Sequence, residues 1–251
     1  MLSVSLAASL LNAETITADY DTGPRVGFDA SIGFQAMANG ETLSNTTVLT
    51  TESTMAFSLP LAVFSWGIGT ELLHFEPTVY VGKLSNSEFS GGNLVIGPFQ
   101  FPGTVGEYSA TVFGGGLGIR FKLKDTRFGF GLDFDLLQGS GTAKSWLDSN
   151  PDAKQDLDAE FSYLSLGLTV DYNDPNFRPW VFAGMKFIEN IFRNPSDSNL
   201  DFRVTSNDIF GIRAGVDIRK LFETGLDFEF SLGYFGGIDM GFGLHYRIDL
   251  N

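Results

Sequence analysis

The chain of 251 residues contains no cysteine. A disulfide framework, a thiolate nucleophile and a cysteine-based metal site are therefore excluded. The absence fits an oxidising compartment, where a free thiol is a liability. Histidine is nearly absent too, because only His74 and His245 occur and they lie far apart in the sequence. Two such residues do not form a zinc site, and the sequence predicts no metal and no cofactor.

Positive charge is also scarce. Sixteen Lys and Arg residues stand against 30 Asp and Glu residues, and the net charge is −14. Phosphate groups would be repelled by this balance, which argues against a nucleic-acid partner. It argues equally against a peripheral protein held by anionic lipid.

No long apolar run predicts a membrane-spanning helix. The only uncharged candidate for such a helix is the segment 53–70, "STMAFSLPLAVFSWGIGT". Pro60 in its middle, several Gly and Ser residues and the lack of nearby Lys or Arg favour two strands that meet near Trp66 and Gly67.

The N-terminal run is uncharged through its first thirteen residues, "MLSVSLAASLLNA". It is too short to span a bilayer and has the apolar core of a secretory signal peptide, with a cleavage point after Ala13. We therefore expect a signal-peptide remnant at 1–13 and one domain at 14–251. An ordered N-terminal helix is the alternative, because the positive segment that usually precedes such a core is missing.

What the chain has in abundance is glycine and phenylalanine. There are 30 Gly and 25 Phe, with only 18% charged residues, a composition that suits closely packed strands. Apolar residues recur at every second position in about ten segments, which predicts an antiparallel all-β protein. The segments are 26–37, 54–64, 70–82, 107–123, 128–136, 160–172, 179–192, 210–218, 226–234 and 240–250.

The connections between these segments alternate in length. Short turns alternate with long polar stretches near 39–52, 83–106, 139–158 and 193–206. Outer-membrane barrels show this alternation, with short periplasmic turns and long outer loops.

Alternation alone does not tell a membrane barrel from a soluble β protein, because both give the same period. Three features favour the membrane barrel. Bulky Phe and Leu dominate the apolar faces, whereas Gly and charges of both signs share the polar faces, as a narrow interior requires. Aromatic residues near strand ends suggest interfacial girdles; they are Trp66, Tyr80, Tyr108, Tyr172, Trp180, Tyr234 and Tyr246. The sequence thus predicts an antiparallel up-and-down transmembrane β-barrel of about ten strands.

The last strand carries a resemblance to a targeting signal. "GFGLHYRIDL", with Gly243, Tyr246, Ile248 and Leu250 in alternation, resembles the signal read by the barrel-assembly machinery of Gram-negative bacteria. The commonest form of that signal ends in an aromatic residue, whereas this chain ends in Leu250 and Asn251. Over nearly its full length the chain resembles small bacterial outer-membrane β-barrel proteins, by pattern and not by a family-specific motif. The resemblance implies the outer membrane as location, with its lipid and the assembly machinery as partners.

Inward-facing charges are the candidate site residues. If the last two turns are tight, Arg213, Glu229 and His245 form one row across neighbouring strands, and Asp227 lies opposite Arg247. Opposite charges at this cross-strand distance attract each other. The remaining members of this predicted charge ladder are Asp133, Asp135 and Arg120.

Three functions follow as hypotheses. Barrels of this size have interiors largely filled by side chains, so the first is a non-enzymatic outer-membrane barrel, either a narrow passive channel or a structural or surface-interaction protein. The second is an outer-membrane hydrolase that uses His245 with Glu229 or Asp227 as a general acid–base pair. The third is a soluble β-barrel carrier of a hydrophobic ligand.

Overall fold

A computed structural model describes residues 20, 22–42, 48–49, 53–70, 72–96, 99–198, 201–206, 209–221 and 224–248. These residues form antiparallel strands joined by short connections: β1 Gly23–Thr42, β2 Val48–Leu49, β3 Ser53–Gly69, β4 Leu73–Ile96, β5 Phe99–Lys122, β6 Phe128–Leu147, β7 Asn150–Tyr172, β8 Phe177–Arg193, β9 Phe202–Ser206, β10 Phe210–Leu221, β11 Leu226–Tyr234 and β12 Gly237–Arg247. Within the described part of the chain, no helix is long and apolar enough to span a bilayer. The predicted signal-peptide remnant at 1–13 lies outside the described residues.

The strands close into a ring of ten. Consecutive strands pair from β3 to β8, β8 pairs with β10, and β10 to β12 lead back to β1, with β1 also paired to β3. The pairing of β1 with β12 runs from Arg25↔Arg247 to Gln35↔Gly237. The predicted antiparallel barrel of about ten strands is therefore confirmed. We call the end with the turns at 123–127 and 173–176 the terminal end, and the opposite end the distal end.

The ring narrows towards the distal end. The strands β10, β11 and β12 stop at mid-height, and the short strand β9 bridges the space above them, pairing with β8 on one side and with β1 on the other. The distal ring thus has eight strands: β1, β3 to β8 and β9. At eight strands the interior of a barrel is just wide enough for side chains to fill it.

A shoulder forms where ten strands become eight. The β11–β12 hairpin ends there at Phe235 and Gly236, and Gly236 adopts a positive φ of 67° that favours glycine. The backbone N–H of Ala36 donates to the Gly236 carbonyl at 3.0 Å, and the Gln35 side-chain amide donates to the Phe235 carbonyl. Phe235 is turned into the barrel and is only 1% exposed.

Two segments that the sequence analysis assigned to loops are strands. The stretch 83–106 belongs to β4 and β5, whose strands extend to Ile96 and from Phe99, and 139–158 belongs to β6 and β7. Polar outward residues such as Glu88, Thr142 and Asp156 were mistaken for loop residues, although they lie exposed on strands of the barrel wall. Of 193–206, the last five residues form β9, and of 39–52 the described part lies in β1 and β2.

The outer surface of the ten-stranded ring is an apolar belt. On β6 it consists of Phe128, Phe130, Leu132, Phe134 and Leu136, each at least 40% exposed. On β12 and the residue that follows it, the belt runs from Ile238 to Ile248. At about 3.3 Å per residue and a tilt near 40°, this run rises about 25 Å, the height of a membrane barrel's apolar band. An exposed apolar surface that encircles a protein is stable in lipid and not in water. The soluble-carrier hypothesis is therefore wrong.

The girdle prediction holds for only part of its residues. Trp66, Tyr234 and Tyr246 are about half exposed on the outer surface. Tyr108 lies instead inside the distal ring and is fully buried. Tyr80 and Trp180 also face inward, where each donates a hydrogen bond to an aspartate of the lumen.

Candidate functional site

A polar chamber occupies the interior of the ten-stranded ring. Its volume is about 280 Å³, and among the described residues eight carboxylates, five arginines and His245 line it. Side chains alternate along each strand, so inward polar residues are separated by outward, lipid-facing residues. On β6, for example, Asp133 and Asp135 face inward between Leu132, Phe134 and Leu136.

The candidate residues of the sequence analysis lie in or next to this chamber. Seven of them line it directly: Arg120, Asp133, Asp135, Arg213, Asp227, Glu229 and His245. The eighth, Arg247, is paired with Asp227 at the terminal end of the ring, where its Nη2 lies 3.0 Å from Asp227 Oδ2 and its Nε 3.1 Å from the same oxygen.

The predicted row of Arg213, Glu229 and His245 is not formed. Glu229 pairs with Asp217 on β10 and with Gly243 on β12, while His245 lies opposite Asp227. The connection after β10 is longer than the predicted three-residue turn, and the register of β10 and β11 shifts between Ile218 and Leu221. The observed pairings of β10 with β11 and of β11 with β12 each differ from the predicted pairing by an even number of residues. Because side chains alternate, these residues still face inward but meet different partners.

The chamber wall is held together by ion pairs between strands. Arg120 Nη1 lies 2.7 Å from Asp133, and Arg178 Nε donates to Asp217 at 2.6 Å. Trp180 donates to the other oxygen of Asp217 at 3.0 Å. Buried charges are tolerated where such pairs and hydrogen bonds compensate them.

His245 has a carboxylate partner that the sequence analysis did not select. Its Nε2 lies 2.6 Å from Asp29 Oδ1 on the neighbouring strand β1. The proposed partners of the hydrolase hypothesis were Glu229 and Asp227, and neither makes a hydrogen bond with His245 in the described part of the chain. Asp29 lies at an inward position of the predicted strand 26–37, so alternation alone was a signal for it.

Other charged residues of the chamber were missed for a similar reason. They are Arg25, Glu76, Asp171, Arg178, Asp217 and Arg219. Each lies at an inward-facing position of its strand. Nothing in the sequence, however, indicates which inward charges lie next to one another in the closed ten-stranded ring.

An apolar core closes the chamber on the distal side. Inside the eight-stranded ring, Met55, Leu84, Tyr108, Val112 and Phe192 are all fully buried. Phe192 packs edge-on against Phe89 and Tyr108, with ring centroids 5.4 and 5.3 Å apart. The sequence analysis expected charges to fill the lumen and did not predict this core.

The faces of the barrel exchange their polarity at the shoulder. On β7, Leu166, Leu168 and Val170 face lipid, whereas higher on the same strand Leu157 and Phe161 face inward and are 2% exposed. The outward positions there are taken by Asp158 and Glu160. The signal for this exchange was a pair of adjacent apolar residues, such as Leu136 and Leu137, that breaks the alternation.

The terminal side of the chamber is narrowed by Tyr20. Its hydroxyl donates to Asp171 Oδ1 at 2.6 Å, and its ring stacks on His74 with centroids 5.3 Å apart. Lys122 lies 5.6 Å from the centroid of the same ring. Tyr20 itself is 2% exposed, so it is held inside the barrel.

Comparison with known proteins agrees with this fold. No protein-family model and no curated protein sequence matches the chain. Among solved structures, the translocator domain of the autotransporter NalP from Neisseria meningitidis is similar over 97% of this chain and 93% of its own, with a TM-score of 0.51 and 13% identity. The outer membrane protease OmpT from Escherichia coli is similar over 94% of this chain and 100% of its own, with a TM-score of 0.50 and 9% identity.

At these identities the likeness establishes the fold. The chain has the fold of outer-membrane β-barrel proteins, as its sequence pattern predicted.

Proposed function

We propose that this chain is a closed, non-enzymatic structural barrel of the bacterial outer membrane that displays its eight-stranded distal ring to a surface partner. The observation that carries the proposal is the apolar core of that ring. A channel that conducts ions or polar solutes needs a wetted path, and an apolar constriction without free volume excludes water.

The packing of buried side chains above the shoulder supports closure of the distal ring. Phe161, Ile188 and Leu137 form its lower level and are at most 3% exposed, and Leu84, Tyr108 and Phe192 fill the level above. Close-packed protein interiors contain few voids larger than a water molecule. Among the two alternatives that the sequence left open, this packing favours the structural or surface-interaction barrel over the passive channel.

The outer face of the distal ring is that of a water-soluble protein. Ion pairs lie on it, among them Glu160 with Arg193, and Glu107 with Lys144 and with Lys154. In outer-membrane barrels the taller end stands outside the cell. A rigid ring with a polar surface is suited to present a fixed surface to other molecules.

A non-enzymatic role is supported by the position of the one histidine that makes a short hydrogen bond to a carboxylate among the described residues. His245 and Asp29 lie in the chamber, with the apolar core on the distal side and Tyr20 on the terminal side. A polymeric substrate outside the cell would have no path to this pair.

Single-channel recording tests the proposal. The full chain, refolded in detergent and inserted into a planar lipid bilayer, should show no discrete conductance steps. A variant with Tyr108→Ala, Phe161→Ala and Phe192→Ala should conduct if it retains the folded barrel, because it removes three rings from the two levels of the apolar core. Its matched control replaces three lipid-facing rings instead, by Phe128→Ala, Phe130→Ala and Phe134→Ala, and should stay silent.

Two results would contradict closure. One is regular conductance of the unmodified chain, and the other is equal conductance of the core variant and its control. Resistance of the folded band to detergent on an unheated gel verifies that each variant forms the barrel.

A further inference from the structure

A second cavity lies at the shoulder, between the polar chamber and the apolar core. Its volume is about 140 Å³. Its distal side is apolar and is formed by buried side chains, among them Leu59, Leu61, Leu137, Phe161 and Ile188. On its terminal side it shares Asp29, Tyr80, Asp135, Arg213 and Glu229 with the chamber. The cavity therefore has one apolar side and one charged side.

Small residues on the wall leave this space open. Ser31 on β1 lies between Leu59 of β3 and Gly241 of β12 in the register of the sheet. Ser231 and Gly241 line the same side of the cavity. A larger side chain at any of these inward positions would occupy the volume that the structure leaves empty.

The charges around the cavity are unequal. Asp239 is paired with both Lys186 and Arg213, and Asp29 is bound to His245. Asp135 accepts a hydrogen bond from the neutral Tyr80 hydroxyl at 2.8 Å. Within the residues that the structure describes, no hydrogen bond or ion pair ends on the Glu229 carboxylate. Two carboxylates thus face the cavity without a cation of their own in direct contact.

We propose that the shoulder cavity binds a small organic cation, a protonated amine on an apolar body about the size of a benzene ring. The ammonium group contacts Asp135 and Glu229, and the apolar body packs on Leu59, Leu137 and Phe161. A cavity of about 150 Å³ accommodates benzene, which fixes the size class. A buried carboxylate is stabilised by a charged donor, which fixes the sign of the ligand.

The chamber provides an approach from the terminal end. It contains eight carboxylates against five arginines, so its field attracts cations and repels anions. The inference goes beyond the closed barrel proposed above and does not depend on it, because binding from the terminal end requires no path through the distal core.

Isothermal titration calorimetry with three probes of matched shape tests the ligand class. The full-length folded barrel in detergent is titrated with benzylammonium, with toluene and with benzoate. Benzylammonium should bind about tenfold or more tightly than either of the others, since only it forms charge-assisted hydrogen bonds with the carboxylates. Equal binding of toluene would overturn the cationic class, and absence of benzylammonium binding would overturn the site.

Variants locate the binding. Glu229→Gln and Asp135→Asn should each weaken benzylammonium by about tenfold or more. Asp158→Asn removes the same charge from the outer face of β7 and should leave the affinity unchanged. Ser31→Leu fills the cavity and should abolish binding.

A second variant fills less of the cavity than Ser31→Leu and therefore disturbs the fold less. Gly241→Ala adds one methyl group that meets the rotatable Ser231 hydroxyl, and it should weaken binding without disturbing the sheet. Undiminished affinity in folded Ser31→Leu or Gly241→Ala would show that benzylammonium binds elsewhere and would refute the assignment.

Discussion

Leu136 and Leu137 are neighbours in β6, yet they face different surroundings. Leu136 is 40% exposed on the outer apolar belt, and Leu137 is 3% exposed inside the barrel. Below this pair the barrel is apolar outside and charged inside, and above it the arrangement is reversed. We therefore expect the barrel to leave the membrane at the height of this pair.

Truncation of Leu137 should destabilise the fold. Leu137→Ala leaves a void in a packed core and should lower the free energy of unfolding by about 2–5 kcal/mol. The neighbouring exposed residue provides the control, because Gln138→Ala should change it by about 0.5 kcal/mol or less. Urea unfolding of the barrel in lipid vesicles measures both. Similar losses in the two variants would contradict a packed interior at this height.

The cost of a charge on the outer belt should depend on its depth. Leu132 lies in the middle of the β6 run and Leu136 at its distal edge. Leu132→Arg should cost about 2–4 kcal/mol, whereas Leu136→Arg should cost about 0–1 kcal/mol. The same vesicle unfolding experiment compares them, and a reversed order would place the membrane at another height.

The Arg247–Asp227 pair should be strongly coupled. Both side chains are largely buried, and two nitrogens of Arg247 contact Asp227. Asp227→Asn alone removes the carboxylate charge that two nitrogens of Arg247 contact and should cost about 3–5 kcal/mol. Replacing both by Asp227→Asn and Arg247→Gln should cost less than the sum of the single changes, with a coupling of about 1–3 kcal/mol. A double-mutant cycle measures this coupling, and additive losses would argue against direct contact.

Glu107 on the distal ring should ionise at unusually low pH. Hydrogen bonds from Lys154 and Lys144 lower the pKa of its carboxyl group to about 2. A lowered pKa means that the contacts stabilise the fold above the ordinary value of 4.5 and that this contribution is lost as pH falls towards 2. Solvent screens an exposed group, so the effect on overall stability is small.

A carboxyl-resolved NMR titration measures that value directly. Lys154→Gln should move the midpoint of Glu107 upwards, towards 4.5, because it removes the largest cause of the shift. Lys83→Gln serves as a control of equal charge change at a lysine that is not among the causes. An unchanged midpoint in Lys154→Gln would contradict the contact.

Tyr20 should restrict access to the chamber from the terminal end. The chain has no cysteine, so a single Ser165→Cys reporter on the chamber wall is chemically unambiguous. Tyr20→Ala should speed the reaction of this thiol with a bulky maleimide several-fold. Tyr246→Ala, which removes an exposed tyrosine from the outer surface, should leave the rate unchanged. Equal rates in all three proteins would show that Tyr20 does not limit entry.

The sequence was sufficient for the membrane-spanning half of the fold. Alternation over 128–136 and 226–234 is strict, and each of these runs is a strand with its apolar side towards lipid. The distal half was misassigned because Leu157, Ala159 and Phe161 alternate with acidic residues in a polar context. Those three residues can be recognised as core residues only when it is known that eight strands surround them.

The candidate site shows a different limit. The alternation of side chains along each strand identified the inward charges, such as Asp133 and Asp227, but not their partners. Partners depend on register, and the register of β10 and β11 is set by an irregular connection at which Lys220 adopts a positive φ of 52°. A turn conformation of this kind is decided by local backbone energetics that alternation does not contain.

The two rings of the barrel become complete at different points along the chain. Every strand of the eight-stranded ring has been supplied once the chain reaches Ser206, whereas the wider ring still requires the strands from Phe210 to Arg247. The distal ring can therefore close around its core without the last three strands. At that stage β9 joins β8 to β1, and a gap between those two strands is left in the wider ring. In chain order the strands β10, β11 and β12 come last, and they complete the wider, membrane-embedded ring between β8 and β1.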